Sequence, residues 1–174
     1  MRAIVMLMPC CLLSACGGDS GGVQGDCPFL DPDTQLCWQQ PPADEPMTWQ
    51  DAIAYCDDLV HAGHADWRLP RIQELITLVR GCSSIDCQVH DPDCLATSCR
   101  QNPECQGCTQ DEGPAENGCY WDVALTGTCD WYHSSSAVDG GPYDAWYIYF
   151  QSGSVDNGAM GLEKQVRCVT TQAE

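Results

Sequence analysis

Residues 66–80 read DWRLPRIQELITLVR and predict the second helix of the chain together with the segment that leads into it. Pro70 suits the start of a helix, because a proline lacks the N–H group that the first helical turn leaves unpaired. Ile72, Leu75, Ile76 and Val79 then recur at helical spacing. The stretch therefore predicts a helix over 71–80 with one buried face.

A first helix is predicted from Thr48 to about His61–Gly63. Thr48 is a candidate N-cap with Asp51 three residues on, a pattern similar to a capping box. The apolar stripe that follows at helical spacing consists of Trp49, Ala52, Ile53, Cys56, Leu59 and Val60. Because Cys56 lies on this stripe, we expect its disulfide partner in an element that packs against the helix.

Strand patterns flank these helices. Residues 145–150 alternate, which places Trp146, Ile148 and Phe150 on one face and Tyr147 and Tyr149 on the other. Residues 151–154 predict a hairpin turn, and residues 165–169 predict a last strand. Near the start, the turn sequence of residues 31–34 predicts a hairpin closed by a Cys27–Cys37 disulfide.

Cysteine is unusually frequent, with 15 residues in a chain of 174. Eight of them fall in an insertion of about residues 81–130, namely Cys82, Cys87, Cys94, Cys99, Cys105, Cys108, Cys119 and Cys129. This segment has no apolar periodicity and no visible core of its own, so we expect cross-links to hold it together. Zinc is the alternative, because Cys105-x-x-Cys108 has the spacing of metal ligands.

The N-terminus indicates export. Residues 1–15 are typical of a signal peptide, and Leu13-Ser14-Ala15-Cys16 resembles a bacterial lipobox, which implies lipidation of Cys16. Residues 16–26 then form a lipidated cysteine and a flexible Gly-rich tether. Twelve cysteines remain, an even number that predicts six disulfides in an oxidising compartment. We expect a protein anchored in the lipid bilayer of the bacterial cell envelope, at the outer membrane or cell surface; an ordinary signal peptide is the alternative.

The order of motifs along the body resembles the Lcl C-terminal domain family, formerly called a domain of unknown function. The resemblance covers about residues 27–80 and 130–170, within a domain over 27–174 that the insertion interrupts. The matching residues are Leu36, Trp38, Gln39, Thr48, Trp49, Ala52, Cys56, Asp66, Trp67, Arg68, Leu69, Pro70, Glu74, Leu75, Ser134 to Ser136, Ala145, Trp146, Phe150, Gly153 and Val166 to Val169.

The resemblance implies an α+β fold that is C-type-lectin-like, with two helices flanking a small twisted antiparallel sheet and a long loop stapled by disulfides. It also implies a Cys56–Cys168 disulfide, because that fold commonly ties its first helix to its last strand. The structural motif residues that it carries over are Trp49, Trp67, Arg68, Leu69, Pro70, Glu74, Trp146 and Arg167. We expect both arginines to pair with buried carboxylates or carbonyls, with Glu74 and Asp66 as natural partners; ligand binding is the alternative.

Other polar residues are weaker candidates. The pairs Asp31/Asp33 and Asp91/Asp93 carry oxygen ligands for calcium, although turn formation explains them equally well. His61 and His64 amount to half of a metal site. Ser134 to Ser136 follow His133, but the chain has no nucleophile elbow there. We therefore expect no catalytic residue and no cofactor, with calcium as the candidate ion for these aspartates.

The net charge of the chain limits the classes of partner that it can bind. The chain has 25 acidic against 7 basic residues and a formal net charge of −18, which disfavours nucleic acids and sulfated polyanions. We expect a non-catalytic lipoprotein that mediates extracellular binding or adhesion to a glycan or protein ligand. The alternatives are a thiol enzyme of the formylglycine-generating type that uses Cys105 and Cys108, and an inert structural envelope protein.

Overall fold

The computed structural model describes residues 26–171, so the expected signal peptide, the lipidated Cys16 and all of the tether but Asp26 lie outside the described residues. The fold is α+β. Its strands are β1 (Phe29–Leu30), β2 (Leu36–Trp38), β3 (Trp131–Val138), β4 (Gly141–Tyr149), β5 (Ser154–Ala159) and β6 (Val169–Thr171), and its α-helices are α1 (Trp49–Asp57) and α2 (Ile72–Ile76). The strands form two antiparallel three-stranded sheets, β1-β2-β6 and β3-β4-β5, where the sequence predicted a single sheet.

Helix α1 begins as predicted but ends earlier. The Thr48 hydroxyl donates to the Asp51 carboxylate at 2.6 Å and accepts from the Asp51 N–H at 3.4 Å. The helix ends at Asp57 because residues 61–64 fold into a tight turn, in which His61 and His64 exchange backbone hydrogen bonds of 3.0 and 2.9 Å. Val60 is therefore 76 % exposed, and the prediction that placed it on the buried stripe is wrong.

Helix α2 keeps its predicted buried face but has only five residues. Ile72, Leu75 and Ile76 are buried, as is Val79 just beyond the helix. The chain leaves the α-helical path because the Leu78 and Val79 N–H groups bond to carbonyls three residues back, and the Arg80 guanidinium caps the Val79 carbonyl at 3.1 Å. These tighter backbone turns end the helix before the predicted position.

The last strand starts later than predicted, at Val169. Of the residues before it, Val166 and Cys168 pair with a loop: Ala43 donates to the Val166 carbonyl and Gln39 donates to the Cys168 carbonyl, each at 2.9 Å. Gln165 instead pairs with β3, donating to the Trp131 carbonyl at 2.9 Å and accepting the His133 N–H at 3.1 Å. Val166 and Cys168 are nevertheless both fully buried in one apolar cluster, together with Cys56 and Trp67. The predicted buried face is correct, although regular pairing covers only its end.

We predicted that the insertion has no core, and this prediction is wrong because its buried residues join the larger core of the domain. It contains four short 3-10 helices, at Ser83–Asp86, Thr97–Gln101, Pro103–Gln106 and Glu116–Gly118. Its buried apolar residues belong to the larger core beneath the β3-β4-β5 sheet, where Trp121 packs against Tyr132 and Phe150. These buried residues are irregularly spaced, so they produce no periodic signal in the sequence.

Six disulfides cross-link the described residues: Cys27–Cys37, Cys56–Cys168, Cys82–Cys108, Cys87–Cys105, Cys94–Cys99 and Cys119–Cys129. The first two are the pairs expected above. Three of the six lie within residues 82–108. Cys105 and Cys108 do not bond to each other, because Cys105 pairs with Cys87 and Cys108 pairs with Cys82. No cysteine among residues 26–171 is left as a free thiol.

None of the helices within the described part of the chain is long and apolar enough to cross a membrane.

Candidate functional site

An aromatic face, formed by Trp131, Tyr147 and Tyr149, lies on the outer side of the β3-β4-β5 sheet. Antiparallel register places Trp131 opposite Tyr149, and β-strand alternation then brings Tyr147 onto the same side. The Trp131 and Tyr149 rings stack with centroids 4.4 Å apart, and Tyr147 meets Trp131 edge-on at 5.0 Å. All three rings are half-buried, whereas Trp146, Ile148 and Phe150 on the inner side are fully buried.

Charged groups border this aromatic face. The Lys164 Nζ lies 4.1 Å from the centroid of the Tyr147 ring, a cation–π geometry. Burial lowers the pKa of Lys164, and the carboxylates of Asp130 and Asp156 partly oppose that effect. Asp156 on β5 also pairs with Arg100 from the insertion. The face thus already holds one cation against an aromatic ring.

A cavity adjoins the aromatic face where the insertion packs on the β4–β5 hairpin. We call it the acidic cavity; its volume is about 480 Å³ and its lining residues are Asp111, Asn117, Gly127, Thr128, Cys129, Asp130, Tyr149 and Gln151. Tyr149 belongs to both surfaces. Its hydroxyl donates to Gln151, whose amide in turn donates to the Asp111 carboxylate. Burial, followed by the charges of Asp130 and Asp111, raises the pKa of Tyr149, so the phenol remains a hydrogen-bond donor.

Backbone contacts hold the insertion in this position. Cys108 donates to the Ser152 carbonyl at 2.7 Å, and Asp111 donates to the Gln151 carbonyl at 3.0 Å. Gly107 permits this approach, because a Cβ atom there would lie 2.5 Å from the Ser152 oxygen and because its φ is +78°. The Cys119–Cys129 disulfide joins the two stretches that supply Asn117 and residues 127–130 to the cavity. The two segments that form the cavity are therefore fixed to each other.

Arg68 and Glu74 lie apart from this cavity and form a bidentate ion pair, with N···O distances of 2.7 and 2.6 Å. Glu74 also accepts the Arg71 N–H at 2.7 Å, which caps helix α2. Burial acts to raise the pKa of Glu74, but the hydrogen bonds from Arg68 and Arg71 outweigh it and leave that pKa below its usual range. Asp66, the other partner considered for Arg68, instead accepts the Thr170 hydroxyl at 2.7 Å.

The Lcl C-terminal domain profile matches residues 29–170, which include every element of this geometry. The chain belongs to the Lcl C-terminal domain family. No curated protein matches the chain. The match runs through the insertion, so the acidic cavity lies inside the Lcl C-terminal domain rather than in a separate unit.

Arg167 of this Lcl C-terminal domain is 1 % exposed. It donates to the carbonyls of Gln39, at 2.7 Å, and Thr126, and its guanidinium lies 5.3 Å from the Trp121 ring centroid. These contacts tie the segment just before the last strand to the insertion, which is a structural role.

The remaining motif residues of the Lcl C-terminal domain also support the framework. Three indole N–H groups donate to backbone carbonyls: Trp49 to Ser134 at 2.8 Å, Trp67 to His61 at 3.2 Å and Trp146 to Leu95 at 2.9 Å. Leu69 and Pro70 are buried beside them.

Three of the four calcium-candidate carboxylates of the Lcl C-terminal domain, those of Asp31, Asp33 and Asp93, have a side-chain partner. Asp31 is fully buried, and its carboxylate lies 2.9 Å from the Arg80 Nη2, with Asp33 at 3.3 Å from the same atom. Asp93 lies 3.4 Å from the His90 Nδ1, and the Asp91 N–H donates to Gln73. Within residues 26–171, no group of three or more His, Cys, Asp and Glu side chains is arranged around a common metal position. The guanidinium of Arg80 occupies the position where a cation would bind Asp31.

The serine run and His133 are bonded to the backbone. The Ser134 hydroxyl donates to the Trp146 carbonyl at 2.7 Å, and the Ser136 hydroxyl oxygen accepts the Ile72 N–H at 3.1 Å. His133 lies 3.1 Å from the carbonyls of Met47 and Leu162 through Nε2, so this nitrogen carries the proton, while the buried Nδ1 has no partner. No Ser–His hydrogen bond forms between His133 and Ser134 to Ser136.

Sequence reasoning found part of this site. The alternation over 145–150 places Tyr147 and Tyr149 on one face, but Trp131 joins them only through strand register, and Asp111, Asp130 and Gln151 were not predicted. The only sequence signals were the position of Asp111 and Asp130 in the insertion and that of Gln151 in the predicted hairpin turn.

Proposed function

We propose that this protein is an exported lipoprotein, anchored to the bacterial cell envelope through a lipid on Cys16, whose Lcl C-terminal domain binds an extracellular glycan. The lipobox-like residues 13–16 support the anchor. Six disulfides among the described residues support an oxidising compartment, because such cross-links do not persist in a reducing cytosol.

A C-type-lectin-like architecture is part of this proposal. Two features support it: the Cys56–Cys168 disulfide ties the first helix to the residue just before the last strand, and a long insertion separates α2 from the β4–β5 hairpin. In this arrangement the insertion occupies the position of the long loop region, next to the sheet that carries the aromatic face.

The observation that carries the proposal is the sharing of Tyr149 between the aromatic face and the acidic cavity. Exposed aromatic rings offer flat apolar surface to the C–H face of a sugar, as they do at many interfaces. Carboxylates, amides and a hydroxyl beside the ring supply the hydrogen-bonding groups that fix the orientation of a polar ligand. The two surfaces together fit a saccharide of a few residues.

The competing functions have less support. A redox enzyme of the formylglycine-generating type needs reactive thiols, and each cysteine within residues 26–171 is in a disulfide. Nucleic acids and sulfated polysaccharides would meet a chain with a formal charge of −18. An inert envelope component needs neither a cavity nor half-exposed stacked aromatic rings.

A glycan array probed with the purified full chain, with and without calcium, tests the proposal. We expect at least one glycan class to bind, and Trp131→Ala to weaken that binding about tenfold because it removes half of the stacked pair. Tyr143→Ala is the matched control, since Tyr143 is 79 % exposed on the same strand as Tyr149 but outside the site. Binding to no glycan, or equal binding by the Trp131 variant and the wild type, would refute the proposal.

A further inference from the structure

We propose that the acidic cavity selects saccharides that carry a protonated amino group over their acylated and acidic counterparts. This inference rests on the proposed glycan-binding function and adds the chemical class of the ligand. The cavity residues that supply charge are Asp111 and Asp130, and none of the eight lining residues is Lys, Arg or His.

The hydrogen-bonding pattern of the cavity favours a donor-rich ligand. One Asp130 oxygen accepts the Trp131 N–H at 2.7 Å, and one Asp111 oxygen accepts the Gln151 amide. Each carboxylate therefore keeps a second oxygen that no described residue engages. An ammonium group has three N–H donors and a positive charge, so it satisfies both oxygens, whereas an N-acetyl group offers a single N–H.

The aromatic face favours the same ligand. A cation over a tyrosine or tryptophan ring is attracted by the electron-rich face of the ring. The same sheet face already holds one such contact, because the Lys164 ammonium lies 4.1 Å from the Tyr147 centroid. Tyr149, stacked on Trp131, offers the ring on the cavity side, and the carboxylates of Asp111 and Asp130 line the same cavity.

The charge of the whole chain acts in the same direction. With 25 acidic and 7 basic residues, the chain attracts cationic oligosaccharides and repels those built from uronic acids. Since this attraction is partly long-range, it weakens as salt is added. Selection by the cavity itself must instead depend on the two lining carboxylates, Asp111 and Asp130. Substitution of these two residues therefore separates the effect of the cavity from the effect of the net charge of the chain.

Calorimetric titration of the full chain with three tetrasaccharides tests the inference: glucosamine, N-acetylglucosamine and galacturonic acid oligomers, in mildly acidic buffer that keeps the amines protonated. We expect the glucosamine oligomer to bind about tenfold more tightly than the N-acetylated one, the gain that one ammonium–carboxylate and cation–π contact supplies. The galacturonic acid oligomer should bind most weakly.

Two variants assign the selectivity to the cavity. Asp111→Asn and Asp130→Asn keep an oxygen for the Gln151 amide and the Trp131 N–H, so the fold should remain intact while the tenfold preference falls to about twofold or less. Asp86→Asn is the matched control, because it removes the same charge from an exposed position in the insertion outside the cavity. It should leave the preference unchanged.

The outcomes separate this inference from the function on which it rests. Equal affinity for glucosamine and N-acetylglucosamine oligomers, or a preference that survives both Asn variants, would overturn the selectivity and leave glycan binding in place. Failure of all three oligomers while other glycans bind on the array would also overturn it. Binding of no glycan on the array would remove the function and the selectivity together.

Discussion

His133 should make the stability of this domain depend on pH in a defined window. The ring is 1 % exposed, its Nε2 is shared by two carbonyls, and its Nδ1 has no partner to receive a second proton. Burial, followed by the Lys164 ammonium, lowers the pKa of His133 from 6.5 to about 4. Between these two pH values the unfolded chain binds a proton at this position and the folded chain does not.

The direction and size of the change in unfolding free energy with pH follow from this difference in proton binding. Because the unfolded state takes up the proton first, the free energy of unfolding falls as pH decreases from about 6.5 towards about 4. The gap between the two pKa values corresponds to about 3 kcal/mol, all of which is present above the unfolded-state pKa. His133→Gln keeps a side-chain N–H for the carbonyls and removes the titrating group.

Urea denaturation of the disulfide-intact protein across this pH range measures the effect. We expect the pH-dependent loss of unfolding free energy to be smaller by about 3 kcal/mol in the Gln variant than in the wild type. His90→Gln is the control, because the His90 side chain is 38 % exposed and lies away from this packing. Parallel curves for the wild type and His133→Gln would show that His133 is not held neutral by burial.

Three further predictions test the framework by thermal or urea unfolding. Glu74→Gln should cost about 1 kcal/mol, because it weakens a bidentate pair whose Arg68 partner is 40 % exposed and so screened by solvent; an unchanged midpoint would show that the pair adds nothing. Removal of Cys56–Cys168, which closes a separation of 112 residues, should cost about 5 kcal/mol, against about 2 kcal/mol for Cys94–Cys99 with a separation of 5; the reverse order would contradict the loop-entropy argument. Arg167→Lys should cost about 2 kcal/mol, since an ammonium cannot reach both carbonyls and cover the indole; wild-type stability of this variant would refute the role of the guanidinium fork.

Local signals in the sequence predicted the beginnings of helices and their buried faces better than their ends. The Thr48 cap and the apolar positions of α2 are properties of neighbouring residues, so short-range pattern reasoning finds them. The end of α1 depends on the turn at residues 61–64, which Trp67 holds by its indole N–H. That bond exists only once the helix has packed, and no helical pattern reports it.

The insertion shows the same limit more strongly. Its eight cysteines allow 105 pairings, and spacing alone does not choose among them. The pairs that form, such as Cys82–Cys108 and Cys87–Cys105, depend on which turns pack together under the β3-β4-β5 sheet. Val89, Leu95 and Trp121 are buried one at a time rather than along a stripe, so their contribution to the core has no periodicity to detect.

By itself the sequence determined the family, the α+β class and the faces of the main elements, because each depends on motifs or on spacing within one segment. The structure selected Glu74 rather than Asp66 as the partner of Arg68. The tertiary structure alone decided the candidate site. Trp131, Tyr149 and Asp111 come from three separate stretches, and strand register and the packing of the insertion bring them together. A periodic pattern records which face of a regular helix or strand is buried, whereas a binding site depends on which distant residues share one surface.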